Sequence, residues 1–171
     1  LQTLCYKADI EATLRTPGFA GFQLLDLHDF PGQGSALVGV LDAFWDEKGY
    51  VSPQEYRMFC NQTVPLVKFP KMVWLNDEIL EASLEVAHFG IDRLKNANII
   101  WRIWKDRQLL TEQKIVKEIP VGNCIELGKI KYDLSDLKKP SQLTVSVEIE
   151  GYNENKWNIW VYPKEPVKVS A

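Results

Sequence analysis

Residues 80–88 read LEASLEVAH, and the side chains alternate: Leu80, Ala82, Leu84, Val86 and His88 against Glu81, Ser83, Glu85 and Ala87. A two-residue period sends successive side chains to opposite faces of an extended chain, so one face can join a core while the other meets water. The same period returns at Leu143, Val145, Val147 and Ile149, set against Thr144, Ser146, Glu148 and Glu150. Ile99, Trp101 and Ile103 make a third set, and Trp157, Ile159 and Val161 a fourth. Turn-forming sequences separate the runs: Gly90-Ile91-Asp92, Lys105-Asp106, Val121-Gly122-Asn123, Lys139-Pro140-Ser141 and Gly151-Tyr152-Asn153. Short alternating strands punctuated by turns over about 100 residues predict an antiparallel β-sandwich, here residues 70–171.

Upstream, residues 1–68 follow different rules. Leu1, Leu4, Cys5, Ala8 and Ala12 repeat at helical spacing, and Thr16-Pro17-Gly18 ends that helix. Next comes FAGFQLLDL (19–27), an almost unbroken apolar run without strict alternation. Such a run suits a strand buried on both faces, as in a parallel sheet covered by helices. Helix, turn and buried strand are half of an α/β repeat. Leu37, Val40, Leu41, Phe44 and Trp45 then recur at helix-like intervals, with Gly39 counting against a helix. Ser52-Pro53-Gln54-Glu55 is a clearer start: a capping Ser, Pro at the first helical position, and Glu placed to reach back to the cap. This helix is predicted from Pro53 to about Cys60, and Val64-Pro65 with Phe69-Pro70 reads as an extended linker. A parallel barrel takes roughly 250 residues. The first 68 residues are therefore expected to be the tail of a larger domain, followed by a sandwich complete in itself. A start at Leu1 rather than Met fits processing or excision from a longer polypeptide.

Bulk properties narrow the function classes. The 171 residues are 46% hydrophobic and 25% charged, as in soluble globular proteins. A formal charge of -3 and a pI near 5.5 give no electrostatic footprint for nucleic acid. No apolar run approaches the roughly 20 residues of a membrane span, and no signal peptide is visible. Cys5, Cys60 and Cys124 form no CxxC pair, so a structural zinc site is not expected. Cys5 and Cys60 lie in apolar, helix-like settings and read as free buried thiols. Gly32-Gln33-Gly34 lacks the full glycine pattern of a phosphate loop, and no cofactor is expected. Asn61-Gln62-Thr63 matches a glycosylation sequon, which matters only in a secretory eukaryotic setting. Trp101 occupies a mid-strand position where immunoglobulin-like sandwiches bury a central Trp, but no cysteine pair flanks it.

Three segments together resemble the C-terminal end of glycoside hydrolases of the family 2 type, the group of β-galactosidases and β-glucuronidases. GFQLLDLHDF (21–30) resembles the family's eighth barrel strand, an apolar run leading to an acidic-aromatic exit. GVLDAFWDEKGYVSPQEYRMFC (39–60) resembles the segment and closing helix that follow it. EASLEVAHFG, IIWRIW and NENKWNIWVYP are similar to the sandwich domains that follow such barrels. The family strand often carries aromatics just before its acidic exit, where this chain has Leu25 and Leu27. The resemblance implies a (β/α)8 barrel tail of helix, strand and helix, then an immunoglobulin-like antiparallel sandwich. It further implies a retaining exo-glycosidase as parent protein, an upstream barrel domain as intramolecular partner, and a periplasmic or extracellular location. The family's two catalytic glutamates, on the fourth and seventh barrel strands, match no position here, so the fragment alone is expected to be inactive. The alternative, from a different class, is a non-catalytic sandwich that binds glycan or another domain.

Retaining glycosidases need two carboxyls roughly 5 Å apart. Asp26 and Asp29, three apart on an extended strand, point to opposite faces and make a poor catalytic pair. At the C-terminal end of a barrel strand they face the active-site mouth, where the reading is either hydrogen bonding to sugar hydroxyls or a structural cap or ion pair. His28 either bonds a sugar hydroxyl or braces the Pro31-Gly32 turn. Phe30 and Trp45 offer flat faces for stacking, although the neighbours of Trp45 look core-like. Asp26, His28, Asp29, Phe30 and Trp45 are thus the candidate substrate-binding residues. Trp74, Trp104, Trp157 and Trp160 either form a second carbohydrate platform or fill the sandwich core and its contact with a barrel. His88 reads as a satisfied core or interface histidine.

Overall fold

The structure is a computed structural model that describes residues 1–19, 21–25, 27–33 and 37–165. It divides into two compact units, Leu1–Asn61 and Gln62–Ala171.

The second unit is a β-sandwich. A three-stranded sheet orders β1 (Thr63–Lys68), β3 (Ile79–His88) and β6 (Gly122–Asp133) as β1-β3-β6. A five-stranded sheet is built from β2 (Val73–Leu75), β4 (Leu94–Lys105), β5 (Gln108–Ile119), β7 (Ser141–Ile149) and β8 (Asn153–Tyr162), in the order β2-β8-β7-β4-β5. Every pairing is antiparallel except that of β2 with β8. All four alternating runs of the sequence are strands, and their apolar faces form one core with Leu80, Leu84, Ile99, Ile103, Val145 and Ile159 at 0% exposure. Trp101 is buried among them at 1%. Trp74 and Trp157 are buried too, the latter edge-on to Phe69 at 6.1 Å.

Two polar groups finish this core. His88 is 2% exposed. Its Nε2 lies 2.9 Å from the Asp92 carbonyl and Nδ1 lies 2.8 Å from the Thr63 hydroxyl. A carbonyl only accepts, so Nε2–H donates, and Nδ1 accepts from Thr63. The expected satisfied core histidine is found, and it occupies the hydroxyl of the sequon's threonine. Val64-Pro65, expected in a linker, is instead part of β1, paired with Ala87 and Val86 of β3. Proline is tolerated there because β1 is an edge strand and the missing N–H breaks no ladder.

The first unit holds α1 (Gln2–Leu14), a 3-10 turn (Pro31–Gln33) and α2 (Pro53–Arg57). The capping box at Ser52 forms as read: the Glu55 amide donates to Ser52 Oγ at 3.2 Å, and the Ser52 amide donates to the Glu55 carboxylate at 2.9 Å. α2 ends at Arg57, earlier than Cys60, and the chain continues in turns closed by the Cys60 amide on the Tyr56 carbonyl. α1 forms, but with Ile10, Glu11 and Leu14 as its buried side. The stripe that marks the helix in the sequence lies outside: Leu1 is 97% and Leu4 65% exposed, and Cys5 is an exposed free thiol rather than a buried one. Glu11 stays buried by pairing with Lys7 at 3.0 Å and Arg15 at 3.5 Å.

Two further expectations change. No strand forms over 19–27 among the described residues, and Phe22, Leu25 and Leu27 are exposed. A parallel strand exists only through ladder bonds to neighbours, and among the described residues of this stretch the one such bond is that of the Leu41 amide to the Leu27 carbonyl at its very end. Residues 37–45 are not a helix but an extended segment and a turn. The reason is Gly39, packed so close to the His28–Asp29 peptide that a Cβ would come within 2.2 Å of the His28 carbonyl carbon.

Candidate functional site

The candidate residues gather where residues 27–29 meet 39–48. The Leu41 amide donates to the Leu27 carbonyl and the Asp29 amide to the Leu41 carbonyl, both at 3.0 Å, forming an isolated parallel bridge. Glycine at 39 permits this approach.

Asp29 anchors the junction from inside. It is 5% exposed, and Oδ1 accepts from the Gly39 amide at 2.8 Å and from Lys48 Nζ at 2.7 Å. Lys48 also donates to the Gly39 carbonyl at 2.9 Å, which the Tyr50 hydroxyl reaches at 3.1 Å. The Lys48 hydrogen bond, followed by the Gly39 amide, holds the Asp29 carboxyl below the usual carboxylate range. Next to Gly39, the Val38 carbonyl is clamped by the Gln2 amide and the Tyr6 hydroxyl of α1.

Asp42 shapes the outer turn. Its Oδ1 accepts from the amides of Phe44 at 2.8 Å and Asp46 at 2.9 Å, a side-chain-nucleated turn. The turn drives Trp45 to φ 72, a left-handed conformation that costs a bulky residue on the order of 1–3 kcal/mol. What this strain achieves is exposure: Trp45 is 59% exposed, with its ring 4.3 Å from that of His28. His28 Nδ1 lies 2.6 Å from the Asp29 carbonyl, so in the neutral ring Nδ1 carries the proton and Nε2 is an acceptor.

The structure thus brings His28, Asp29 and Trp45 together. Trp45 departs from its core-like reading and stands on the surface. Phe30 is 46% exposed, with its ring over Gly32, where a Cβ would meet it at 2.9 Å. Asp26 lies outside the described residues. Lys48 and Asp42 escaped sequence reasoning, and Gly39 was read only as counting against a helix; the Asp42 to Asp46 turn had a local signal in its Asp-x-x-Trp-Asp spacing, whereas Lys48 had none. Chemically the arrangement offers a stacking surface, an imidazole acceptor and an internally neutralised carboxylate. Among the described residues no group of His, Cys, Asp and Glu is placed to hold a metal ion.

Solved structures similar to this chain share low identity with it. A CARDB domain from Pyrococcus furiosus, solved with di-metal ions, has a TM-score of 0.43 at 12% identity, covering 60% of this chain and 94% of that one. The sporulation control protein Spo0M of Bacillus subtilis has a TM-score of 0.41 at 9% identity, covering 62% and 51%. A β-glucuronidase of Parabacteroides merdae has a TM-score of 0.37 at 15% identity; the match covers 58% of this chain and 13% of that enzyme. No curated protein matches the sequence. Residues 78–163, from just before β3 to the end of β8, match the family described as Domain of unknown function (DUF8488), and since they make up half of the chain, it belongs to that family.

Proposed function

We propose that the chain is the C-terminal part of a family 2-type retaining exo-glycosidase, with the first unit as the last repeat of a (β/α)8 barrel and the second as a supporting sandwich. The observation that carries this reading is the apolar surface of the first unit. Leu1 just before α1, Leu4 on it, Phe22, Leu25 and Leu27 in the strand-like motif, and Phe44 in the turn are all exposed. Side chains of this kind on one small unit call for a cover. In the proposed parent, the preceding barrel strands and helices are that cover, and pairing with them turns 19–27 into the eighth strand. The strand order of the five-stranded sheet and the buried Trp101 support an immunoglobulin-like description of the sandwich.

In this reading the chain supplies substrate contacts and no chemical step, the two catalytic glutamates being upstream. Trp45 stacks on a sugar ring, His28 Nε2 accepts from a hydroxyl, and Asp26 and Phe30 line the same mouth. Asp29 acts as a positioning residue, fixing the peptide that carries His28. Two results test the proposal. The reading frame upstream of Leu1 encodes a barrel with Glu at the ends of its fourth and seventh strands; a frame without them overturns it. In the intact parent, Trp45→Ala raises KM for an aryl-glycoside about tenfold, a loss of roughly 1.4 kcal/mol of binding, with kcat nearly unchanged. Unaltered kinetics would remove Trp45 from the site.

A further inference from the structure

The two sheets of the sandwich end in four edge strands, β1 and β6 in one sheet and β2 and β5 in the other. An edge presents unpaired amides and carbonyls to any extended chain, and folded proteins blunt it. Three of these edges are blunted. The Asn153 and Asn155 side chains bond the Thr63 and Pro65 carbonyls of β1. β2 is three residues long. The pairing of β6 with β3 slips at Leu84/Glu85 and again at Val86/His88, which spoils it as a regular template. β5 differs: its pairing with β4 runs unbroken from Thr111 to Lys117, and Glu112, Gln113, Lys114 and Val116 are exposed.

We infer that β5 is a dimer interface, at which it pairs antiparallel with β5 of a second copy and joins two five-stranded sheets into one across a two-fold axis. The order of its side chains points to a second copy as the occupant. Thr111, Gln113 and Ile115 lie opposite Ile103, Trp101 and Ile99 and so share the inner face with those core residues. Glu112 and Lys114, opposite Arg102 and Ile100, share the outer face. A two-fold axis through Gln113, perpendicular to the sheet, sets Glu112 of each copy against Lys114 of the other. It also sets Gln113 against itself and Thr111 against Ile115. Every direct pair is then compatible, with opposite charges outside and an amide pair flanked by β-branched side chains inside. Moving the axis one residue either way places Glu112 against Glu112 or Lys114 against Lys114, and like charges directly opposite are destabilising. The register is therefore specified by charge.

The other contacts of these side chains leave room for the pairing. Lys114 lies 3.7 Å from Glu150 with both side chains about half exposed, a contact that contributes little. Glu112 accepts from Arg102 through one oxygen, Oε2. Lys117, the other cation of the 111–117 run, points inward and donates to the Glu126 carbonyl of β6 at 2.6 Å, clear of the axis. Pairing uses the edge of both copies at once, so assembly through β5 closes at two.

The test is sedimentation of the full chain carrying Leu4→Glu and Leu25→Glu, exposed positions of the first unit that leave β5 as it is. This chain dimerises reversibly. In that background Glu112→Lys and Lys114→Glu each weaken the dimer about tenfold or more, because each sets like charges opposite one another twice across the axis. Mixed in equal amounts, the two variants recover it as a heterodimer, since every reversed charge then meets its opposite; damage to folding would not be repaired by mixing. Gln113→Cys forms a disulfide between copies under mild oxidation, identified by mass spectrometry, because position 113 faces itself. Glu118→Cys, away from the axis, forms no bridge to itself. A chain still monomeric at about 1 mM overturns the inference. So does a dimer indifferent to both charge reversals, which would put the contact elsewhere, or a mixture that stays monomeric, or the absence of a bridge at position 113.

Discussion

Asp29 shows how little one side chain's identity says before its partners are known. The motif marks it equally well as a sugar contact or as a cap, and the structure spends its carboxylate on Lys48 and the Gly39 amide. Lys48 lies 19 residues away with no spacing rule to connect them, which is why this half of the site was not legible. The pH dependence has a definite sign. A carboxyl held below its ordinary value stabilises the fold above that value, about pH 4, and loses this contribution as the pH falls through its lowered native value. Protection of the Gly39 amide from hydrogen exchange is therefore expected to be full near neutrality and to fall in acid, and to be absent at any pH in Asp29→Ala. A Gly39 amide equally protected in Asp29→Ala would show that the junction is held by other groups. Trp45 teaches the complementary point: neighbours in sequence look like core, but a turn nucleated by Asp42 puts the ring outside.

At the scale of elements, a strand was legible wherever one face is core and the other water. β3, β4, β7 and β8 alternate because they sit between core and solvent, and the sequence carries that contrast. β5 and β6 are mostly exposed on both faces and show no such period. β1 is the opposite case, buried along nearly its whole length, so its apolar run reads as linker. What secures β1 is invisible to periodicity. Asn155 of β8, at 0% exposure, donates to the Pro65 carbonyl at 3.1 Å, and Asn153 donates to the Thr63 carbonyl at 2.8 Å. These side chains stand where a further strand would otherwise satisfy the edge. Asn155→Ala leaves a buried carbonyl short of a donor, a change worth about 1–3 kcal/mol. Its exposed neighbour Glu154, replaced by Ala, should stay within about 0.5 kcal/mol of the parent. Chemical denaturation of both variants checks the contrast, and equal midpoints would mean the asparagine stitch contributes nothing.

Over the whole molecule the two units differ in how far each satisfies itself. The sandwich buries most of its large aliphatic side chains in one continuous core, with others such as Ile79, Ile91 and Val116 left exposed, whereas the first unit buries only Ile10, Leu14, Val40 and Phe59 among its described large apolar side chains and leaves a longer set of them in solvent. Exposed apolar area of that kind drives association, because covering it removes roughly 25 cal/mol per Å² of unfavourable hydration. The full chain is therefore expected to associate beyond a dimer as concentration rises and to bind a dye specific for apolar surface. A shortened chain beginning at Gln62 should do neither. Leu4→Glu together with Leu25→Glu places charge on the helix stripe and on the motif, at positions 65% and 83% exposed, where folding has little to lose. That double variant should limit sedimentation to monomer and dimer and lower dye binding without moving the melting of the sandwich. A full chain that never exceeds a dimer at high concentration and leaves the dye dark would mean the first unit covers itself in solution. The case for a missing barrel would then fall, while the sandwich and its β5 edge would stand untouched.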